Sequence, residues 1–171
     1  SMVFVNTGNL GLPLCLFAFG EEGLAYGIAF FMMMSTLHFS LGLAMISGQG
    51  VVKTLVTNPI VHSVWISVML LITQWQFPLW LLNTINLLGQ FSIPLMLLAL
   101  GVSLASLKVK DFTMAIKFSL LRVLGGCFIG WGVCEIFSLE GTMRGVLILQ
   151  SSMPVAVFNY LIAERYDRSP E

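Results

Sequence analysis

The sequence predicts an all-α membrane protein of about six transmembrane helices, the first and last broken at proline. Two observations lead there. The 171 residues are 57% hydrophobic and 9% charged, whereas a soluble domain of this size carries about 25% charged residues to cover its surface. The apolar residues also gather into runs near the roughly 20 residues that a helix needs to cross a hydrocarbon core about 30 Å thick. A soluble fold is excluded. Eight basic and eight acidic residues balance to a net charge of zero, so no nucleic-acid partner is implied.

The elements follow in order. The first run extends from about Met2 to Phe19 and is interrupted by Gly8, Gly11 and Pro13; the second covers about Gly23 to Ile46 and contains His38. The third begins at Thr57-Asn58-Pro59, a capping residue followed by proline in the first helical turn, and ends near Trp75. The fourth spans about Trp80 to Leu107 with Pro94 near its middle, and the fifth about Phe112 to Phe137. The sixth, about Thr142 to Ala163, is interrupted by Pro154. Short connections make sequence neighbours antiparallel neighbours in space.

Charge sets the expected orientation. Counted alternately, one side collects Lys53, Lys108, Lys110, Arg165 and Arg168; the other holds Glu21, Glu22 and Glu140 with Arg144 as its base. The positive-inside rule puts the first side, and both chain ends, in the cytoplasm. Trp75 and Trp80 then fall at the outer boundary, where indoles concentrate.

Chemistry points to the two interrupted runs. Inside a helix glycine costs about 1 kcal/mol and proline about 3 kcal/mol relative to alanine. At membrane depth, backbone freed by a break survives only when buried in protein or lining a wet cavity. The first run reads NTGNLGLPL, with Asn6, Thr7 and Asn9 beside Pro13; the sixth reads LQSSMPVAVFNY, with Gln150, Ser151, Ser152 and Asn159 around Pro154. A single kink packed by polar neighbours would carry no function. Paired interruptions in corresponding positions are the mark of a carrier's binding site, where half-helix N-termini favour a carboxylate. The expected substrate-binding residues are Asn6, Asn9, Pro13, Gln150, Ser152, Pro154 and Asn159, the substrate a small organic anion.

The remaining polar features point elsewhere. Gly126 and Gly130, widened by Gly125 and Gly132, form a smooth face for close helix packing. Asn83, Asn86 and Gln90 precede Pro94 and suit helix packing. Arg122 sits deep enough in the fifth run to count as an intramembrane charge. Cys15, Cys127 and Cys134 read as packing residues, and His38 and His62 each lack a second ligand at helical spacing, so neither a metal nor a cofactor is implied. No nucleophile–base constellation supports an intramembrane enzyme.

Three motifs in order, NTGNLGLPL with AFGEEGLAYG, PLMLLALGVSLASL, and SSMPVAVFNYLIAERYDRSPE, resemble the auxin efflux carrier family over nearly the whole chain. The resemblance implies a fold of ten helices in two inverted repeats, with the fourth and ninth broken and crossing at the substrate site. Asn6, Pro13 and Pro154 would fall at that crossing. Residues 1–47 would end the first repeat, 48–58 form a cytoplasmic link and 59–171 supply most of the second, together a single transmembrane domain. The third and fourth helices would belong to a scaffold and the others to a domain that moves like an elevator. The family's first three helices and its tenth lack counterparts here, which implies a stretch of a longer carrier. It also implies a plasma-membrane (cell inner membrane) protein, in lipid, with a homodimer through the scaffold helices. The competing expectation is a membrane-embedded structural or assembly subunit with no substrate.

Overall fold

The computed structural model describes residues 5–42, 55–106 and 112–155. The regular secondary structure of the described residues is helical apart from one isolated bridge, in keeping with an all-α membrane protein. Among the described residues the α-helices are α1 (Leu12–Leu37), α2 (Pro59–Thr73), α3 (Leu79–Ser106), α4 (Phe112–Ile136) and α5 (Gly141–Ser151). Wider π-helical turns, Thr7–Gly11 and His38–Gly42, flank α1. The stretches Thr7–Gly42, Leu79–Ala105 and Ile116–Ile136 are long and apolar enough to cross a membrane.

The chain divides into two compact units, residues 1–31 with 95–171 and residues 32–94. In the first, α1 is not one rod. Gly20 has φ 68° and ψ −157°, a conformation in which a Cβ clashes. The chain reverses there. A Cβ added at Gly27 would lie 3.1 Å from Cys15 Sγ, although 12 residues of straight helix would separate them by about 18 Å. Near the open end the Phe31 ring comes as close to Gly8, 2.9 Å from its would-be Cβ. The first and second sequence segments are thus the two arms of a helical hairpin, as their short connection predicts.

Helices α4 and α5 make a second hairpin. The α4 end closes with Leu139 N–H donating to Cys134 O at 2.9 Å, and Ser138 and Gly141 take left-handed φ of 50° and 60° through the turn. Arg144 pairs with Glu135 across this turn at 2.6 Å, and Thr142 Oγ1 donates to Glu22 Oε2 at 3.1 Å beside the Gly20 reversal. The two acidic turns therefore lie at one end of the unit, as the charge alternation places them. Of the four glycines in α4, Gly126 and Gly130 pack on α5, whereas Gly125 and Gly132 have nothing within 4 Å of a would-be Cβ. The packing face is one stripe of spacing four, narrower than the sequence suggests, because neighbours at one or two positions point away round the helix.

In the second unit α2 starts where its sequence says. Asn58 Oδ1 accepts from Ile60 N–H at 2.9 Å and Pro59 occupies the first turn. His62 Nε2 lies 2.7 Å from Val56 O, which ties the ring to the helix start. The hydroxyls of Ser63, Ser67 and Thr73 each return to a carbonyl of the preceding turn at 2.8 Å, so no polar group of theirs faces outward unbonded. The helix stops at Thr73, earlier than Trp75, because Gln74 turns left-handed at φ 48°. Its 15 residues reach about 22 Å, short of a full span. Helix α3 continues through Pro94 for 28 residues and passes from one unit into the other.

Candidate functional site

The two interrupted segments meet through their backbones. After α5 ends at Ser151, Ser152 N–H still folds back to Ile148 O at 3.0 Å, and Met153 N–H to Gln150 O at 3.3 Å. Pro154 then cannot continue the helix and drives the residue before it out of helical geometry. Val155 becomes extended and pairs antiparallel with Val5, and Asn6 N–H donates to Pro154 O at 2.8 Å. Each broken strand of backbone thereby satisfies polar groups that lipid would leave bare. Below the pairing, the chain enters the π-helical turn, closed by Gly11 N–H to Asn6 O at 3.1 Å.

Pro13 lies inside a continuous helical run, just after the π-helical turn Thr7–Gly11 passes into α1. The preceding Leu12 N–H still reaches Gly8 O, but Pro13 has no N–H for the next carbonyl and so interrupts the ladder at this junction, as the sequence predicts. Non-helical backbone lies upstream, at Val5–Asn6. Pro13 is fully buried among the residues under the pairing.

The polar residues there divide into three kinds. Asn6, 7% exposed, caps none of the following N–H groups, and its side chain makes no hydrogen bond among the described residues. Gln150 is fully buried: its Nε2 donates to Cys15 Sγ at 3.4 Å, and its Oε1 has no partner. This amide is wedged between the arms of the α1 hairpin, where a Cβ on Gly11 would overlap it and one on Gly27 would come within 3.3 Å of Nε2. Ser152 Oγ is committed to Ile148 O at 2.6 Å, which leaves only its lone pairs for a ligand. Asn9 and Pro154 are half-buried, and Asn159 lies outside the described residues. Asn6 and Pro154 thus meet directly, and Gln150 touches Gly11 and Cys15 on either side of Pro13.

A model of the family described as membrane transport protein matches residues 48–171. The chain belongs to that family. It is also the family of the auxin efflux carriers, so the resemblance carried by the sequence motifs holds. Two archaeal relatives in the family align over 95% of the chain. One, an uncharacterized transporter of Methanocaldococcus jannaschii, is 26% identical over 172 residues. The other, an uncharacterized transporter of Methanothermobacter thermautotrophicus, is 29% identical over 174 residues. The chain covers 56% of each, so it spans about half the length of the curated relatives it matches. No solved structure matches.

Sequence reasoning left two participants out of the site. From the sequence Cys15 reads as packing alone, yet its sulfur is the one acceptor found by the Gln150 amide among the described residues. Arg122 reads as a deep charge without an address; it donates to the last residue of α5, Ser151. A residue nearly 30 positions away in sequence carries no local signal of such a meeting.

Proposed function

We propose that this chain forms the core of a secondary carrier that moves a small organic anion across the plasma membrane by alternating access, with the anion held where the two interrupted segments meet. The observation that carries the reading is the antiparallel pairing of Val5 with Val155, flanked by the Asn6 and Gln150 amides. Interrupted backbone at membrane depth is costly, and carriers use it to offer unwound peptide groups and half-helix ends to a substrate. Family membership supports transport. The division of the chain supports a moving part and a static part: one unit carries both interruptions, the other carries α2 and the first half of α3. An elevator-like motion of the first unit and a cytoplasmic location for both ends of this stretch belong to the same proposal. Along α2 and α3, Trp65, Ile66, Leu71, Leu87 and Leu98 are more than half exposed, and lipid or a second copy of the chain would cover them.

A second reading, a packing subunit with no substrate, draws on the sealed position of Gln150 and the internally bonded Ser152 hydroxyl. Uptake of labelled carboxylates by proteoliposomes separates the two. Asn6→Ala, which removes an amide that holds no part of the fold together through its side chain, abolishes or severely slows uptake if the carrier reading is right. Undiminished uptake would remove Asn6 from the site, and no carboxylate uptake by the unaltered protein would leave the packing reading standing.

A further inference from the structure

One basic side chain, Arg122, lies beside the interruption. Arg122 lies within the Ile116–Ile136 stretch that is long and apolar enough to span a membrane. A guanidinium at such depth is expensive unless anions or carbonyls meet its N–H groups. Here they meet it poorly. Nη1 donates to Ser151 O at 3.4 Å, near the outer limit for a hydrogen bond. Nε is buried and has no partner. Among the described residues no carboxylate pairs with it; Glu135, on the same helix, is taken by Arg144.

The placement is specific. Ser151 is the last residue of α5, three before Pro154, so the guanidinium sits on the carbonyl end of the half-helix that leads into the interruption. Gly126 makes the approach possible, since a Cβ there would lie 2.8 Å from Arg122 Nη1 and 2.9 Å from the Ser151 carbonyl carbon. The Ser151 carbonyl uses one donor. A guanidinium offers five in a planar fork, and its Nε–Nη edge matches both oxygens of a carboxylate.

We infer that Arg122 is the residue that reads the negative charge of the transported anion, its guanidinium leaving the Ser151 carbonyl for the substrate carboxylate. The exchange replaces one long contact to a neutral carbonyl by a two-pronged charged one, and it frees the end of α5 next to the interruption as the anion arrives. This inference rests on the carrier reading and assigns the charge recognition that Asn6 and Gln150, both neutral amides, cannot supply.

The test compares carboxylates with their uncharged amides, phenylacetate against phenylacetamide and indole-3-acetate against indole-3-acetamide, by competition for uptake in proteoliposomes containing the protein expressed from its complete reading frame. The unaltered carrier prefers the carboxylate of each pair. Arg122→Gln lowers carboxylate affinity by about ten- to a hundredfold, the worth of a charged hydrogen-bonded pair, and leaves amide affinity nearly unchanged, so the preference collapses. Arg122→Lys, which keeps the charge and the fold's demand for a cation but loses the fork, gives an intermediate preference. If Arg122→Gln weakens acid and amide equally, or if the folded Arg122→Lys protein keeps the full preference, Arg122 is only a cap on α5 and the inference fails. An unaltered protein that transports carboxylates but shows no preference over amides overturns the Arg122 assignment alone. One that transports no carboxylate overturns the carrier reading as well.

Discussion

Four glycines on α4 permit a test in which the same substitution changes sign with position. At Gly126 an added Cβ would overlap the Ser151 carbonyl oxygen and lie 2.9 Å from its carbon. Carbon atoms rest at about 3.5–4.0 Å, so the gap is short by about 0.6 Å or more at the carbon and by more at the oxygen. The obstructing atoms are backbone and cannot rotate aside; α4 and α5 must separate. Overpacking of this kind costs about 1–3 kcal/mol. At Gly125 and Gly132 a Cβ meets nothing within 4 Å, and replacing helical glycine by alanine there stabilises by about 1 kcal/mol. Both substitutions gain the same helix propensity, so Gly126→Ala should be less stable than Gly125→Ala by the overpacking cost alone, about 1–3 kcal/mol. Thermal unfolding in detergent, followed with a thiol-reactive dye, reads this directly because the free thiols Cys15 and Cys134 are fully buried until the protein opens. Gly126→Ala melting at or above Gly125→Ala would refute the α4–α5 packing described here.

Three further outcomes are expected. Gly20→Ala forces a Cβ into the φ 68°, ψ −157° reversal and should destabilise by about 1–3 kcal/mol; an unchanged melting temperature would mean the hairpin closes in another way. Gln150→Leu removes an acceptor whose burial without a partner costs about 1–3 kcal/mol, so stability should hold or rise while carboxylate uptake falls, and normal uptake would exclude Gln150 from the site. Glu135→Gln breaks a pair whose side chains are 35% and 51% exposed, and the melting temperature should fall by the equivalent of less than about 1 kcal/mol.

The sequence made some of this legible because the governing forces are local. Asn58-Pro59 specifies a helix start through one side-chain acceptor and one missing donor, and α2 begins there. Pro154 removes a backbone donor and disfavours helical geometry in the residue before it, and the chain leaves the helix there. Pro13 marks a change of helix type, where the π-helical turn before it passes into α1. The acidic turn around Gly20 was visible as a connection, but its tightness depends on Cys15 and Gly27 meeting across the hairpin. What sequence spacing leaves out is azimuth. It picks out Gly126 and Gly130 by their spacing but adds Gly125 and Gly132 to the same face, whereas the position of α5 leaves those two outside. The same gap hid the meeting of Arg122 with Ser151, which depends on how α4 and α5 are rotated about their axes.

The central claim is that the two interruptions are joined strand to strand, and a cysteine cross-link tests it most directly. Val5 and Val155 pair antiparallel, which sets their Cα atoms about 4.5–5.5 Å apart, inside the range a disulfide spans. In a background with Cys15, Cys127 and Cys134 replaced by alanine, Val5→Cys with Val155→Cys should form an intramolecular disulfide in membranes under mild oxidation. Uptake should stop when the link forms and return on reduction. Failure of the pair to cross-link in folded protein, while a control pair across the α4–α5 hairpin does so, would contradict the account.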